Sequence, residues 1–78
     1  MEIKVLGPGC ANCNKLADAT HKAVEKAGLD ATIEKVSDLQ EIMSYGVMAT
    51  PALVVDGTMR LAGRVPSVDD LVALLERG

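Results

Sequence analysis

An α/β fold with a mixed four-stranded sheet, flanked by helices on both faces, is the class this sequence predicts. Three observations carry that expectation. Strand-like and helix-like apolar patterns alternate along the chain in the order β-α-β-α-β-β-α. The first strand, helix and strand follow one another directly, which demands a right-handed crossover and a parallel pair. Near the far end, Asp56-Gly57 is a two-residue hairpin signal, so two further strands join antiparallel. Periodicity leaves the order of strands across the sheet open.

Each element has its own local cause. The apolar run Ile3 to Leu6 is cut by Gly7-Pro8-Gly9. An amphipathic stretch then starts at the cysteines, with Cys13, Leu16, Thr20, Ala23 and Ala27 on one face and Ala19 and Val24 beside it. Gly28 is its natural stop. Ala31 to Val36 is a short strand rich in β-branched residues. Ser37-Asp38-Leu39-Gln40 has capping-box spacing and opens a second helix to about Ser44, closed by Gly46. Ala52-Leu53-Val54-Val55 is continuously apolar and suits a strand buried on both faces. Thr58 to Ala62 returns beside it. Ser67 caps the last helix with Asp70 three residues on, and Leu71, Val72, Leu74 and Leu75 form its inner face. No repeat, linker or low-complexity tract interrupts the chain, so one domain over residues 1–78 is expected.

Composition excludes several classes of function. Of 78 residues 49% are hydrophobic and 24% charged, enough for a packed core and a solvated surface. Tyr45 is the one aromatic residue, so there is no stacking platform for single-stranded nucleic acid. A net charge of -3 opposes binding to a phosphate backbone. No apolar run nears the ~20 residues of a membrane span. Met1 to Val5 lacks the basic and long apolar regions of a signal peptide. These features predict a mature, soluble, cytoplasmic protein.

The chemistry lies in Cys10-Ala11-Asn12-Cys13, which holds both cysteines of the chain. As a structural staple the pair is badly placed. Closing a four-residue loop gives roughly 2 kcal/mol, against roughly 4 for a loop spanning most of a small domain. A reducing cytosol would also oppose it. The pair instead falls at a strand-to-helix junction, where cysteines three apart point to one side at disulfide reach. The positive end of the helix stabilises a thiolate and lowers the pKa of the first cysteine. No acidic residue follows before Asp18 to oppose this.

With these elements in place the chain resembles the small thioredoxin-like redox disulfide proteins of the thioredoxin and glutaredoxin fold. The marks are Gly7-Pro8-Gly9-Cys10-Ala11-Asn12-Cys13 after the first strand, Thr50-Pro51 before the third, the Val54-Val55-Asp56-Gly57 hairpin and the final helix. The resemblance implies a protein-disulfide oxidoreductase needing no cofactor. Cys10 would attack a disulfide in a protein substrate, and Cys13 would resolve the mixed disulfide. It also implies a cis Thr50-Pro51 bond against the disulfide. Gly9, Ala49, Thr50 and Pro51 would form the substrate-binding surround, with Gly63 nearby. A reductase or low-molecular-weight thiol would supply electrons, and neither nucleic acid nor membrane insertion is implied.

The departures from the family are specific. Gly9 stands where thioredoxin has Trp, and Ala11-Asn12 where it has Gly-Pro, so the redox potential does not carry over. The glutathione-binding elements of glutaredoxins have a partial match in Ala62-Gly63-Arg64 and Asp69-Asp70. No counterpart of thioredoxin's buried acid is evident; Lys4 lies in the first strand, where its ammonium reads equally well as a solvated edge charge.

Other residues divide between two readings each. His21, about 16 Å along the helix from Cys10, belongs to a solvated face with Lys15, Lys22, Glu25 and Lys26. Met43 and Met48 either fill core gaps or bring a thioether to the active surface. Tyr45 either covers the groove or packs. Arg60 and Arg64 are solvated strand-end charges or a site for an anionic substrate such as glutathione. The competing function is a soft-metal carrier or sensor, since thiolates three apart at such a junction suit Cu(I). Copper-chaperone domains end on a strand and lack the Thr-Pro, which sets them apart from this chain. A redox-modulated adaptor is the third possibility.

Overall fold

The computed structural model describes residues 1–9, 11–47 and 49–77. Strands β1 (Glu2–Leu6), β2 (Thr32–Val36), β3 (Ala52–Val55) and β4 (Thr58–Ala62) alternate with helices α1 (Ala11–Ala27), α2 (Leu39–Ser44) and α3 (Val68–Glu76). The sheet runs β2-β1-β3-β4. β1 pairs parallel with β2 and antiparallel with β3, which pairs antiparallel with β4. The order follows from polarity. β1 and β3 bury most of their residues and lie inside, while β2 and β4, which bury one residue each, take the edges.

Alternation along the inner strands splits the core into two layers. Ile3, Val5, Leu53 and Val55 face one way and pack with Leu16, Ala17 and Ala23 of α1 and Leu71 and Leu75 of α3. Leu6, Ala52 and Val54 face the other way, against Ile42 of α2 and Val36. α1 ends in a Schellman arrangement around Gly28 (φ +66), with Leu29 N–H donating to the Val24 carbonyl at 3.1 Å and Gly28 N–H to Glu25 at 3.2 Å. Thr20 is buried in the α1 face, and its hydroxyl donates back to the Leu16 carbonyl at 2.7 Å. The hairpin turn has Asp56 at φ +49 and Gly57 at φ +83, the pairing a type I′ turn requires.

Several local expectations are corrected. The second strand begins at Thr32, with Ala31 outside it. The α2 cap is Asp38, whose carboxylate accepts the Gln40 N–H at 3.0 Å, so Ser37 does not form the capping box. A carboxylate one residue nearer the helix outcompetes the hydroxyl. Ala17 joins the buried face of α1, whereas Ala27 is only partly covered. Val72 and Leu74 are likewise partly covered, leaving Leu71 and Leu75 as the buried residues of α3. Lys4 is not an edge charge, because β1 is an interior strand.

β4 carries a bulge. Leu53 pairs with Leu61 but Val54 pairs with Met59, which leaves Arg60 as the extra residue. Its side chain consequently reaches α3, where Nη2 donates to the Leu74 carbonyl at 3.3 Å.

Candidate functional site

The parallel crossover and the antiparallel inner pair bring three chain segments to one end of the sheet. Leu6 lies between Val36 and Ala52, and Ala52 is paired with Ala62. The Gly7–Gly9 loop, the Ala49–Pro51 segment and Gly63 all leave the sheet at that end. Cys13 occupies the first turn of α1, is 4% exposed and is disulfide-bonded. Cys10 lies outside the described residues.

Gly7 is buried directly behind Cys13. A Cβ placed on it would fall 2.2 Å from the Cys13 sulfur, so only glycine lets the strand end approach the helix this closely. The Gly7 N–H is held by the Val36 carbonyl at 2.9 Å. A cleft of about 250 Å³ opens here, lined by Val5, Gly7, Gly9, Cys13, Asn14, Lys35 and Ser37. Lys35 Nζ donates to Asn14 Oδ1 at 3.3 Å. The first turn of α1 carries no acidic side chain, so helix end and lysine together leave this rim electropositive.

The Thr50–Pro51 peptide bond is cis. Pro51 is buried, while Ala49, Thr50 and Gly63 face solvent. Gly63 N–H donates to the Pro51 carbonyl at 2.8 Å, and its Cα side lies against Ala49, where an added Cβ would come within 3.2 Å. Gly63, at φ +78, adopts a conformation that favours glycine. The structure therefore joins Ala49, Thr50, Pro51 and Gly63 in one group and Gly9 and Cys13 in another, both at the same end of the sheet.

Sequence reading missed Gly7, Asn14, Lys35 and Ser37 as cleft residues. Lys35 was within reach of the pattern, because Ile33 and Lys35 share a face of β2 and Lys35 is in register with Val5. The close approach at Gly7 carries no such signal, since the Gly-Pro-Gly run reads only as a break.

Other candidates lie elsewhere. Tyr45 packs on the α2 layer and accepts a hydrogen bond from Lys4 Nζ at 3.1 Å, with that nitrogen 5.8 Å from its ring centre. This pair lines a separate cleft with Glu2, Asp56 and Gly57, away from Cys13. The Tyr45 contact, and then nearby Glu2, hold the Lys4 pKa above its ordinary value. His21 is exposed, as are Lys15, Lys22, Glu25 and Lys26. Met43 is 71% exposed and fills no gap, and Met48 lies outside the described residues. Asp69 is ion-paired with Lys26, which holds its carboxyl below the usual value. Among the described residues no group of three or more His, Cys, Asp or Glu side chains is arranged to hold a metal ion. Among them, too, no helix is long and apolar enough to cross a membrane.

The order of elements, the cysteine at the head of α1 and the cis proline ahead of β3 agree with a sequence match to the thioredoxin domain over residues 1–76. The chain belongs to the thioredoxin family. It is 39% identical to a thioredoxin of Methanothermobacter thermautotrophicus over 75 residues, covering 96% of this chain and 97% of that protein. A thioredoxin of Methanocaldococcus jannaschii is 39% identical over 69 residues, covering 88% of this chain and 79% of that one. A probable thioredoxin of M. thermautotrophicus is 30% identical over 67 residues, covering 82% and 78%. At the level of the family, membership implies disulfide oxidoreductase activity.

Proposed function

We propose that residues 1–78 act as one thioredoxin-like domain that exchanges a Cys10–Cys13 dithiol for disulfides in partner proteins, in the cytoplasm. The observation that carries this reading is the disulfide-bonded Cys13, buried against Gly7 at the positive end of α1 in a thioredoxin-family chain. In the reduced protein the Cys10 thiolate attacks one sulfur of the partner's disulfide and expels the other as a thiolate. Cys13 then attacks Cys10 and frees the second partner sulfur. Two electrons pass to the partner, whose thiolates take up protons from solvent, and the Cys10–Cys13 disulfide is left. Thr50 and Pro51, with Ala49, Gly9 and Gly63, offer the surface on which the substrate segment lies. A reductase or small thiol restores the dithiol.

The test is turnover of a disulfide-bonded protein with dithiothreitol as reductant. Cys10→Ser should abolish it, and Cys13→Ser should accumulate a mixed disulfide visible on a non-reducing gel. Full activity in Cys10→Ser would overturn the proposal. A Cys pair that stays reduced between roughly -180 and -290 mV, yet binds Cu(I) tightly, would favour the metal-carrier reading instead.

A further inference from the structure

The three arginines of the chain, Arg60, Arg64 and Arg77, line a single cleft of about 440 Å³, although the five lysines are scattered over the sequence. Each arrives by a different route. Arg60 is the residue extruded by the β4 bulge, Arg64 follows Gly63 in the loop before α3, and Arg77 caps the α3 C-terminus. Asp70, Ala73 and Leu74 complete the walls.

Complementing the C-terminus of α3 does not account for this arrangement. A helix end carries roughly half a negative charge. Asp70 is the one carboxylate among the residues that line the cleft, against three guanidinium groups. Arg60 meets the Leu74 carbonyl with one of its donors. No salt bridge joins an arginine to a carboxylate among the described residues, and the ion pairs there are Lys4–Glu2 and Lys26–Asp69. A protein with 11 acidic and 8 basic residues thus concentrates unspent positive charge at one place.

We infer that this cleft docks an acidic segment of a partner protein, through Asp or Glu carboxylates received by Arg64 and Arg77 with Arg60 behind them. Guanidinium groups suit this because their paired donors match a carboxylate. A small-molecule site would need predominantly apolar walls, which Ala73 and Leu74 alone do not supply. Through Gly63, bonded to the Pro51 carbonyl, the Arg64 loop is continuous with the cis-proline segment. The docked partner is then the protein whose disulfide is exchanged. That last identification rests on the proposed function, while the binding of acidic chain does not.

The experiment separates the two. A fluorescent peptide with four glutamates and no cysteine is titrated with the oxidised protein, beside the same peptide carrying glutamines. The glutamate peptide should bind, weaken at least about fivefold in Arg64→Gln/Arg77→Gln, and weaken again in high salt. Equal binding of both peptides, or binding unchanged in the double variant, would overturn the inference. So would inorganic phosphate displacing the peptide at concentrations well below the peptide's own Kd, which marks a small-oxyanion site. With a disulfide added to each peptide, the reduced protein should reduce the glutamate form faster. If neither disulfide peptide is reduced while the cysteine-free glutamate peptide still binds, the proposed exchange fails and the docking surface stands.

Discussion

At Gly7 the absence of a side chain decides whether the cysteine helix can close on the sheet. Its backbone is pinned to the Val36 carbonyl, so the strand end cannot retreat from the Cys13 sulfur. Gly7→Ala should therefore force Cys13 or the loop to move, at a cost of about 1–3 kcal/mol. The denaturant midpoint of the oxidised protein measures this, and a midpoint equal to wild type would show that the loop absorbs the methyl group. Gly63→Ala tests a different cause. Its positive φ and the nearby Ala49 both oppose a side chain, and a loss of about 1–2 kcal/mol is expected from the left-handed backbone alone. Because Gly63 N–H holds the Pro51 carbonyl, the same variant should slow disulfide exchange, whereas Gly7→Ala should alter the reactivity of the cysteine pair. The sequence marks Gly7 as part of a chain break and Gly63 as a neighbour of the substrate-binding surround, but neither the close approach to Cys13 nor the left-handed backbone is visible in it. What the sequence does show is the Cys-x-x-Cys spacing after a chain break, because that chemistry depends on separation along one helix turn.

Elements show where local pattern suffices and where competition between neighbours decides. Ser37 and Asp38 are both good caps, and the pattern Ser37 to Gln40 favoured the first. The structure gives the role to Asp38, so Asp38→Ala should cost α2 about 0.5–2 kcal/mol and Ser37→Ala should cost far less. Urea denaturation of the two variants distinguishes them, and the reverse order would restore the capping box. Between α1 and α3, Lys26 and Asp69 form a cross-helix ion pair with both side chains largely exposed. It is weak and sensitive to salt. Because pairing lowers the Asp69 pKa from its ordinary 3.8, the stabilisation is present above that value and is lost as pH falls through the lowered folded-state pKa. A double-mutant cycle with Lys26→Met and Asp69→Asn should show coupling at pH 7 that declines as pH falls through the lowered Asp69 pKa and shrinks in high salt. Coupling that neither acid nor high salt reduces would assign the contact to packing.

At the scale of the whole molecule, element order and the mixed sheet were legible because each depends on local periodicity and on chain connectivity. The strand order was not, since it depends on which strands bury both faces, although the all-buried Ala52-Leu53-Val54-Val55 already pointed to an interior place. The bulge at Arg60 was hidden for the same reason, because register exists only between strands. Tertiary layering also sets unequal local stability. One face of the sheet carries α1 and α3 with five buried residues named from the helices, whereas α2 has six residues and buries Ile42 alone. Its outer side leaves Leu39 and Met43 at 60% and 71% exposure. A helix this short has little stability of its own and here has one anchor. Native-state hydrogen exchange should therefore find α2 amides opening well below the global unfolding free energy, while β1, β3 and the middle of α1 exchange only through global unfolding. Ile42→Ala should lower α2 protection selectively, and Leu71→Ala should lower protection throughout, by about 2–5 kcal/mol in the last-exchanging amides. If α2 proved as protected as the inner strands, the two faces would form one cooperative unit, and the Ser37 side of the cysteine cleft would be as rigid as the sheet that carries it.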